Sequence, residues 1–317
     1  TLAMVGDEAT LTFTSSEDVV DPPVVTIDGQ SALVTGGPTS WTATYTFTGT
    51  DVEGIVPFTI DFVDLAGNAG IQDITVDDAT SILFDSTIPA VNAGTNKEVN
   101  VGTLQDAEIS DAVPPAGSGL DTWTWSQVSG PGTANFSTVT DSDPALDPDV
   151  TVSADTDGTY VLKLTVTDHA GNSNEGTFTF IWDTTRPEPL TSNPSDGSTG
   201  VSTAAGTATV TFDEPIIWSG NGTRVFLVND VTSASHKGTV SVSGLSPTVL
   251  NIDYTGLDYG TKYRINVKPN AVTDVATNGL LSNFISYFTT VIDTAVPVVN
   301  SLSAGSITTT GAVLSVT

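Results

Sequence analysis

Carboxylates are the residues in this chain whose number and spacing suit chemistry. The stretch "DSDPALDPD" places Asp141, Asp143, Asp147 and Asp149 within nine residues, and "DTDG" adds Asp155 and Asp157 shortly after. Closely spaced carboxylates in turns can converge on Ca²⁺, with backbone carbonyls filling the remaining positions. The plainer reading is a pair of solvated, Pro-punctuated loops, and the sequence leaves both open. Further acids recur at Asp85, Asp183 and Asp293, in "FDSTIP", "WDTTRP" and "IDTAVP". Each of these stretches follows a strand-like run and ends in a Pro that breaks the ladder, so they read as joints where calcium would stiffen the chain.

A second acidic pattern repeats: "DLAGN" (64–68), "DHAGN" (168–172) and "DVATN" (274–278), at spacings of 168 − 64 = 104 and 274 − 168 = 106 residues. The pairs Asp64 and Asn68, Asp168 and Asn172, and Asp274 and Asn278 offer only two or three oxygens each, fewer than a hard cation wants. Scaffolding is the better reading: a hairpin connection between the last two strands of a module, with Gly67 or Gly171 at positive φ. In the third copy Thr277 takes the Gly position, and Asn278 and Gly279 are expected to carry the positive φ.

Catalytic patterns are missing. The chain has two histidines, His169 and His236, no Cys, and no G-x-S-x-G, H-E-x-x-H or phosphate-cradling Gly loop. Asp168 beside His169 does not make a triad, because neighbours in a tight hairpin cannot present nucleophile, base and orienter in order. A pair of acids for glycoside hydrolysis lacks a recognisable cleft-forming fold around it. The expectation is therefore no enzymatic activity. Trp123 and Trp125 are assigned to opposite faces of one strand, one in the core and one exposed, where it can stack on a sugar but more often packs under a neighbouring loop. "NFS" at Asn135 and "NGT" at Asn221 match the glycosylation acceptor pattern.

The elements that must position these residues are strands. Apolar residues alternate with Thr in "TLTFTS" (Leu11, Phe13), "WTATYTF" (Trp41, Ala43, Tyr45, Phe47), "FTIDF" (Phe58, Ile60, Phe62), "YVLKLTV" (Tyr160, Leu162, Leu164, Val166) and "YRINV" (Tyr263, Ile265, Val267). Period two is the mark of half-buried antiparallel strands, and no segment sustains a helical apolar spacing. The run "IQDITV" (71–76) reads as another strand.

Thirty-seven Asp and Glu against eight Lys and Arg give a formal charge of −29, and residues 1–85 contain no base against fourteen acids. Such a surface repels nucleic acid and anionic membranes and attracts cations. No apolar stretch reaches the roughly 18 residues of a membrane span. The 38% hydrophobic content, set in regular runs, predicts a folded chain, and without Cys each module relies on its own core.

The joints divide the chain into an Ig-like sandwich lacking its first strand (1–87), a second sandwich (88–185), a third (186–294), and a tail (295–317) holding the first strands of a further module or a donor strand. The fold class is all-β: tandem Ig-like β-sandwich domains in an elongated array. Both ends read as cut in mid-repeat.

At the level of families, residues 1–87, with "VGDEATLTFTSSEDV" and "FTIDFVDLAGNAG", resemble the bacterial Ig-like repeats of adhesins and surface proteins. Residues 88–185, with "WTWSQVSGPGTANF" and "DTDGTYVLKLTVTDHAGN", are similar to PKD repeats, a resemblance that implies a tyrosine corner at Tyr160 and a core tryptophan at Trp125. Residues 186–294, with "ATVTFDEPI", "GLDYGTKYRINV" and "DVATNGL", resemble the Ig-like domain of S-layer proteins. The tail resembles the start of a further Ig-like or fibronectin type III module.

These resemblances imply a non-catalytic structural segment of an extracellular surface protein: a stalk, adhesin rod or filament subunit. Its partners would be neighbouring modules or further copies, joined in the last case by β-strand donation from "VPVVNSLSA" into the first module. The alternative is an accessory region of a secreted polysaccharide- or protein-degrading enzyme. The sequence names no glycan or cell-surface ligand.

Overall fold

A computed structural model describes residues 1–20, 22–137, 140–141, 148–299, 302–304 and 314–316. Among these the regular elements are strands, joined by turns and loops, apart from one 3₁₀ turn, Gly222–Arg224. It divides into two compact units, Thr1–Thr184 and Thr185–Thr317.

The first unit contains two hydrophobic cores. In the first sandwich, Glu8–Thr14, Ser40–Thr46 and Leu33–Gly36 form one sheet, and Gln30–Ser31, Val24–Ile27 and Phe58–Asp61 another. Alternation along Ser40–Thr46 turns Trp41 and Ala43 inward, and just beyond it Phe47 stacks on Phe84 with ring centroids 4.6 Å apart. A short first strand is present: Leu2–Ala3 pairs parallel to Leu83–Phe84. The run 71–76, in contrast, forms no strand and contributes one bridge, Asp73 to Ile60, leaving Ile71 almost fully exposed. Its apolar residues stand at 71, 74 and 76, and so do not fall on one face of a period-two strand.

The second sandwich sets a five-stranded sheet, in the order Lys97–Val99, Ser173–Trp182, Gly158–Asp168, Leu120–Ser129, Thr140–Asp141, against Thr103–Gln105, Val150–Ala154 and Ala134–Phe136. Tyr160, Leu162, Leu164 and Val166 point into the core without exposure, as period two requires. Trp123 and Trp125 are both core residues, each 2% exposed. Two residues apart is one full pleat, so they share a face, and the expectation of one exposed tryptophan is corrected. The Trp125 indole N–H donates to the Pro148 carbonyl at 2.8 Å. The Tyr160 hydroxyl donates to the Thr156 carbonyl at 2.6 Å, tying the start of its strand to the preceding turn.

The second unit packs Pro189–Asn193, Gly206–Phe212, Val249–Tyr254 and Lys237–Val242 against Ser198–Val201, Phe284–Thr290, Lys262–Val267 and Val225–Asn229, around Tyr263, Ile265, Val267 and Phe288. The Tyr263 hydroxyl accepts the Asp258 N–H at 2.9 Å. In the tail, Leu302–Ala304 pairs antiparallel with Leu314–Val316. The rest of the proposed donor segment, from residue 300 on, lies outside the described residues.

Candidate cation site

The repeated five-residue motif folds the same way three times. Asp168 receives the Asn172 N–H on Oδ1 at 2.8 Å and the Asn172 side-chain amide on Oδ2 at 2.9 Å, while its own N–H donates to the Asn172 carbonyl at 3.0 Å. The corresponding distances are 2.8, 2.7 and 2.9 Å for Asp64 with Asn68, and 2.8, 2.8 and 3.1 Å for Asp274 with Asn278. The acid of each loop is thus held by the loop's own amides, which is what a short polar side chain does best in a turn. Positive φ falls on Gly67, Gly171 and, in the third copy, on Thr277 at 74°, not on Asn278 or Gly279. The three hydrogen bonds hold the fourth position of the loop in that conformation whichever residue stands there, so a β-branched residue bears the strain.

What differs among the copies is burial. Asp64 is only partly buried, in a loop whose other residues are exposed, whereas Asp168 is 1% exposed. Asp168 lies where the first sandwich hands the chain to the second. There the last strand of the first sandwich ends in Asp85, fully buried, whose N–H donates to the Ala3 carbonyl at 2.9 Å. Its Oδ2 accepts the Ser118 N–H at 2.6 Å and its Oδ1 the Thr87 N–H at 3.1 Å. Ser118 is presented by the loop that follows strand Glu108–Ser110, closed by Gly119 N–H to the Ala112 carbonyl at 2.7 Å. The Ser118 hydroxyl in turn accepts the Ala170 N–H at 3.1 Å, which binds this loop to the 168–172 loop.

The same loop begins at Asp111, and carboxylate oxygens of Asp85, Asp111 and Asp168 all lie within 4.8 Å of one another. Both Asp111 oxygens are sealed from solvent, and no donor reaches either in hydrogen-bonding geometry. Burial pushes the Asp111 carboxyl above the usual carboxylate range. The charges of Asp85 and Asp168 push the same way, and the amides of Ala112 and Gly119 offset this only in part. Two like charges at such a separation repel by a few kcal/mol per pair at an effective dielectric constant of about 20. Of Lys and Arg, residues 1–184 contain only Lys97 and Lys163, with Lys163 paired to Glu175 at 2.8 Å, while His169, next to Asp168, faces the Gly119 carbonyl and Asp121. No ion pair reaches the three aspartates among the described residues.

The sequence singled out Asp85 as a metal candidate and Asp168 as scaffolding. It missed Asp111, which in "SDAVPPAGSG" reads as an ordinary turn acid. Elsewhere, Asp149 accepts the Ala107 N–H at 2.8 Å, Asp155 the Thr133 N–H at 2.8 Å, and Asp157 the Thr184 N–H at 3.0 Å. Asp183 follows strand Ser173–Trp182 and donates its N–H to the Val99 carbonyl at 3.0 Å. Asp141 is a backbone member of Thr140–Asp141, and Asp143 and Asp147 lie outside the described residues. His169 sets Nδ1 3.1 Å from the Gly119 carbonyl, and His236 sets Nδ1 3.2 Å from the Gly256 carbonyl.

Two stretches of the chain match known domain families. Residues 93–181 match the model of the K319L-like PKD domain family, and residues 183–290 match that of the bacterial Ig-like domain family. No curated protein matches the sequence. Among solved structures, the Escherichia coli adhesin FdeC is 14% identical, covering 90% of this chain and 93% of that one at a TM-score of 0.37. The three titin domains I67–I69 are 10% identical, covering 92% and 95% at 0.34. The D00–D0 domain of intimin is 12% identical, covering 57% and 95% at 0.31. At these identities and TM-scores the neighbours carry no argument about this chain.

Proposed function

We propose that this chain is a non-catalytic structural segment of an extracellular surface protein, of the stalk or adhesin type, whose task is to hold modules in fixed relation. The observation that carries the reading is the joint at residues 85–89. Asp85 is held through its N–H, carbonyl and carboxylate, and Ser86 and Thr87 are clamped by Glu53, whose Oε1 accepts their hydroxyls at 2.7 and 2.6 Å. The Pro89 carbonyl accepts the Asn174 side-chain amide at 2.9 Å. Linkers that serve reorientation leave their polar groups to water, and relative motion is the default unless the junction is built against it. A joint with its polar groups satisfied transmits position from one sandwich to the next.

Supporting the compartment are the charge of −29 and the bacterial Ig-like and PKD-like domain matches. No helix among the described residues is long and apolar enough to cross a membrane. On this reading its partners are neighbouring modules of the same chain or further copies of it. The test uses the natural full-length protein in its host, with antibody against residues 189–290 applied to intact and lysed cells, alongside a deletion of residues 1–294. The reading expects labelling of intact cells and unchanged hydrolysis of polysaccharide and protein substrates by the deletion strain. Labelling only after lysis, or loss of a hydrolytic activity with the deletion, would overturn it.

A further inference from the structure

We propose that Asp85, Asp111 and Asp168 form a binding site for a divalent cation, calcium by its donor set, which locks the joint between the first two sandwiches. The donors are oxygens alone, with no Cys in the chain and no His among the three, which suits Ca²⁺ or Mg²⁺ and disfavours Zn²⁺. Of the two hard ions, Mg²⁺ dehydrates reluctantly and usually keeps several waters, so a cluster of buried protein carboxylates suits Ca²⁺ better.

Two of the ligands are pre-aimed. Asp85 is fixed by the Thr87 and Ser118 amides, one on each oxygen, and Asp168 by the Gly171 and Asn172 amides on Oδ1 and the Asn172 side-chain amide on Oδ2, leaving a lone pair on each Asp85 oxygen and on Asp168 Oδ2. The third, Asp111, sets a carboxylate oxygen within 4.8 Å of theirs; both of its oxygens are buried, and the nearby Ala112 and Gly119 amides make no well-aligned hydrogen bond to either. Buried carboxylate oxygens without a well-made hydrogen bond, beside two more carboxylates, are an arrangement that proteins avoid unless something positive completes it, and no Lys or Arg of residues 1–184 forms an ion pair with them among the described residues. Asp85 closes the last strand of the first sandwich, while Asp111 and Asp168 belong to loops of the second, so one ion binds the two together. The site stands independently of the cell-surface reading, since cation binding is a property of the purified chain.

The experiment titrates calcium, and separately magnesium, into the full chain and its variants Asp111→Asn and Asp155→Asn by calorimetry, with thermal melts in chelator and in calcium. The wild type should bind calcium within the range of extracellular modules, about 0.1–1 mM or tighter, and melt several degrees higher with it. Asp111→Asn should lose one site and its share of that rise, yet melt in chelator no lower than the wild type, because it removes an uncompensated charge. Asp155→Asn should behave as the wild type. No calcium-dependent change in the wild type up to about 10 mM, tenfold beyond the weakest such modules, would overturn the proposal. So would indistinguishable isotherms for wild type and Asp111→Asn, or an Asp111→Asn chain that folds less well in chelator.

Discussion

The side-chain amide of Asn172 donates to the main-chain carbonyl of Asp85 at 3.0 Å, 87 residues back along the chain. The same nitrogen donates to Oδ2 of Asp168 at 2.9 Å, so one residue closes its own loop and caps the end of the preceding sandwich's last strand. Asn172→Ala removes both bonds and strands a carbonyl at the joint, and should cost about 2 kcal/mol. Asn68→Ala, in the exposed copy of the loop, should cost under about 1 kcal/mol. Urea unfolding of the full chain with each substitution checks this, and equal costs would show that the reach to Asp85 adds nothing.

Thr277 holds φ at 74°, a region that penalises a branched β-carbon, in the place where the other two loops have Gly. Thr277→Gly should raise the stability of the third sandwich by up to about 1 kcal/mol, once the extra freedom of Gly in the unfolded chain is subtracted. A lowered melting point would mean that the Thr side chain contributes more than its strain costs.

The Tyr160 hydroxyl donates to the Thr156 carbonyl at 2.6 Å while its ring is buried against the second core. Tyr160→Phe keeps the ring and loses the bond, for an expected loss of about 1 kcal/mol. Denaturation of the two proteins decides it, and identical midpoints would mean that the ring alone anchors the corner.

Glu53 carries a pH dependence. Its carboxyl is held below the usual range chiefly by the Thr87 hydroxyl, then by that of Ser86. A folded value below the unfolded one means that Glu53 stabilises the chain above the unfolded value of about 4.3 and loses that contribution as the pH falls through the lower folded value. The wild type should therefore exceed Glu53→Gln in melting temperature at neutral pH, with the gap narrowing below about pH 4. A gap constant from pH 7 to pH 3 would contradict the assignment.

The fold was legible where the pattern is local. Tyr160, Leu162, Leu164 and Val166 announce their strand because period two places all four on one face, and the three Asp–Asn loops announce themselves because their hydrogen bonds span five residues. Residues 71–76 misled because β-branched content alone does not make a strand when the apolar positions are out of phase. Trp123 and Trp125 were legible in principle, since positions two apart share a face. Asp111 was not. Its meaning comes from Asp85 and Asp168, 26 residues before it and 57 after it, which only the pairing of the sheets brings within 4.8 Å.

The central claim, that the passage from the first sandwich to the second is a built joint, is tested most directly by amide hydrogen exchange in the full chain. The amides to follow are those of Asp85, which donates to the Ala3 carbonyl, and Ser118, which donates to the Asp85 carboxylate. The account predicts protection for both within about a factor of ten of the Leu162 and Leu164 amides in the central strand of the second sandwich. Exchange of Asp85 and Ser118 at the rate of an unstructured peptide, while that strand stays protected, would contradict it.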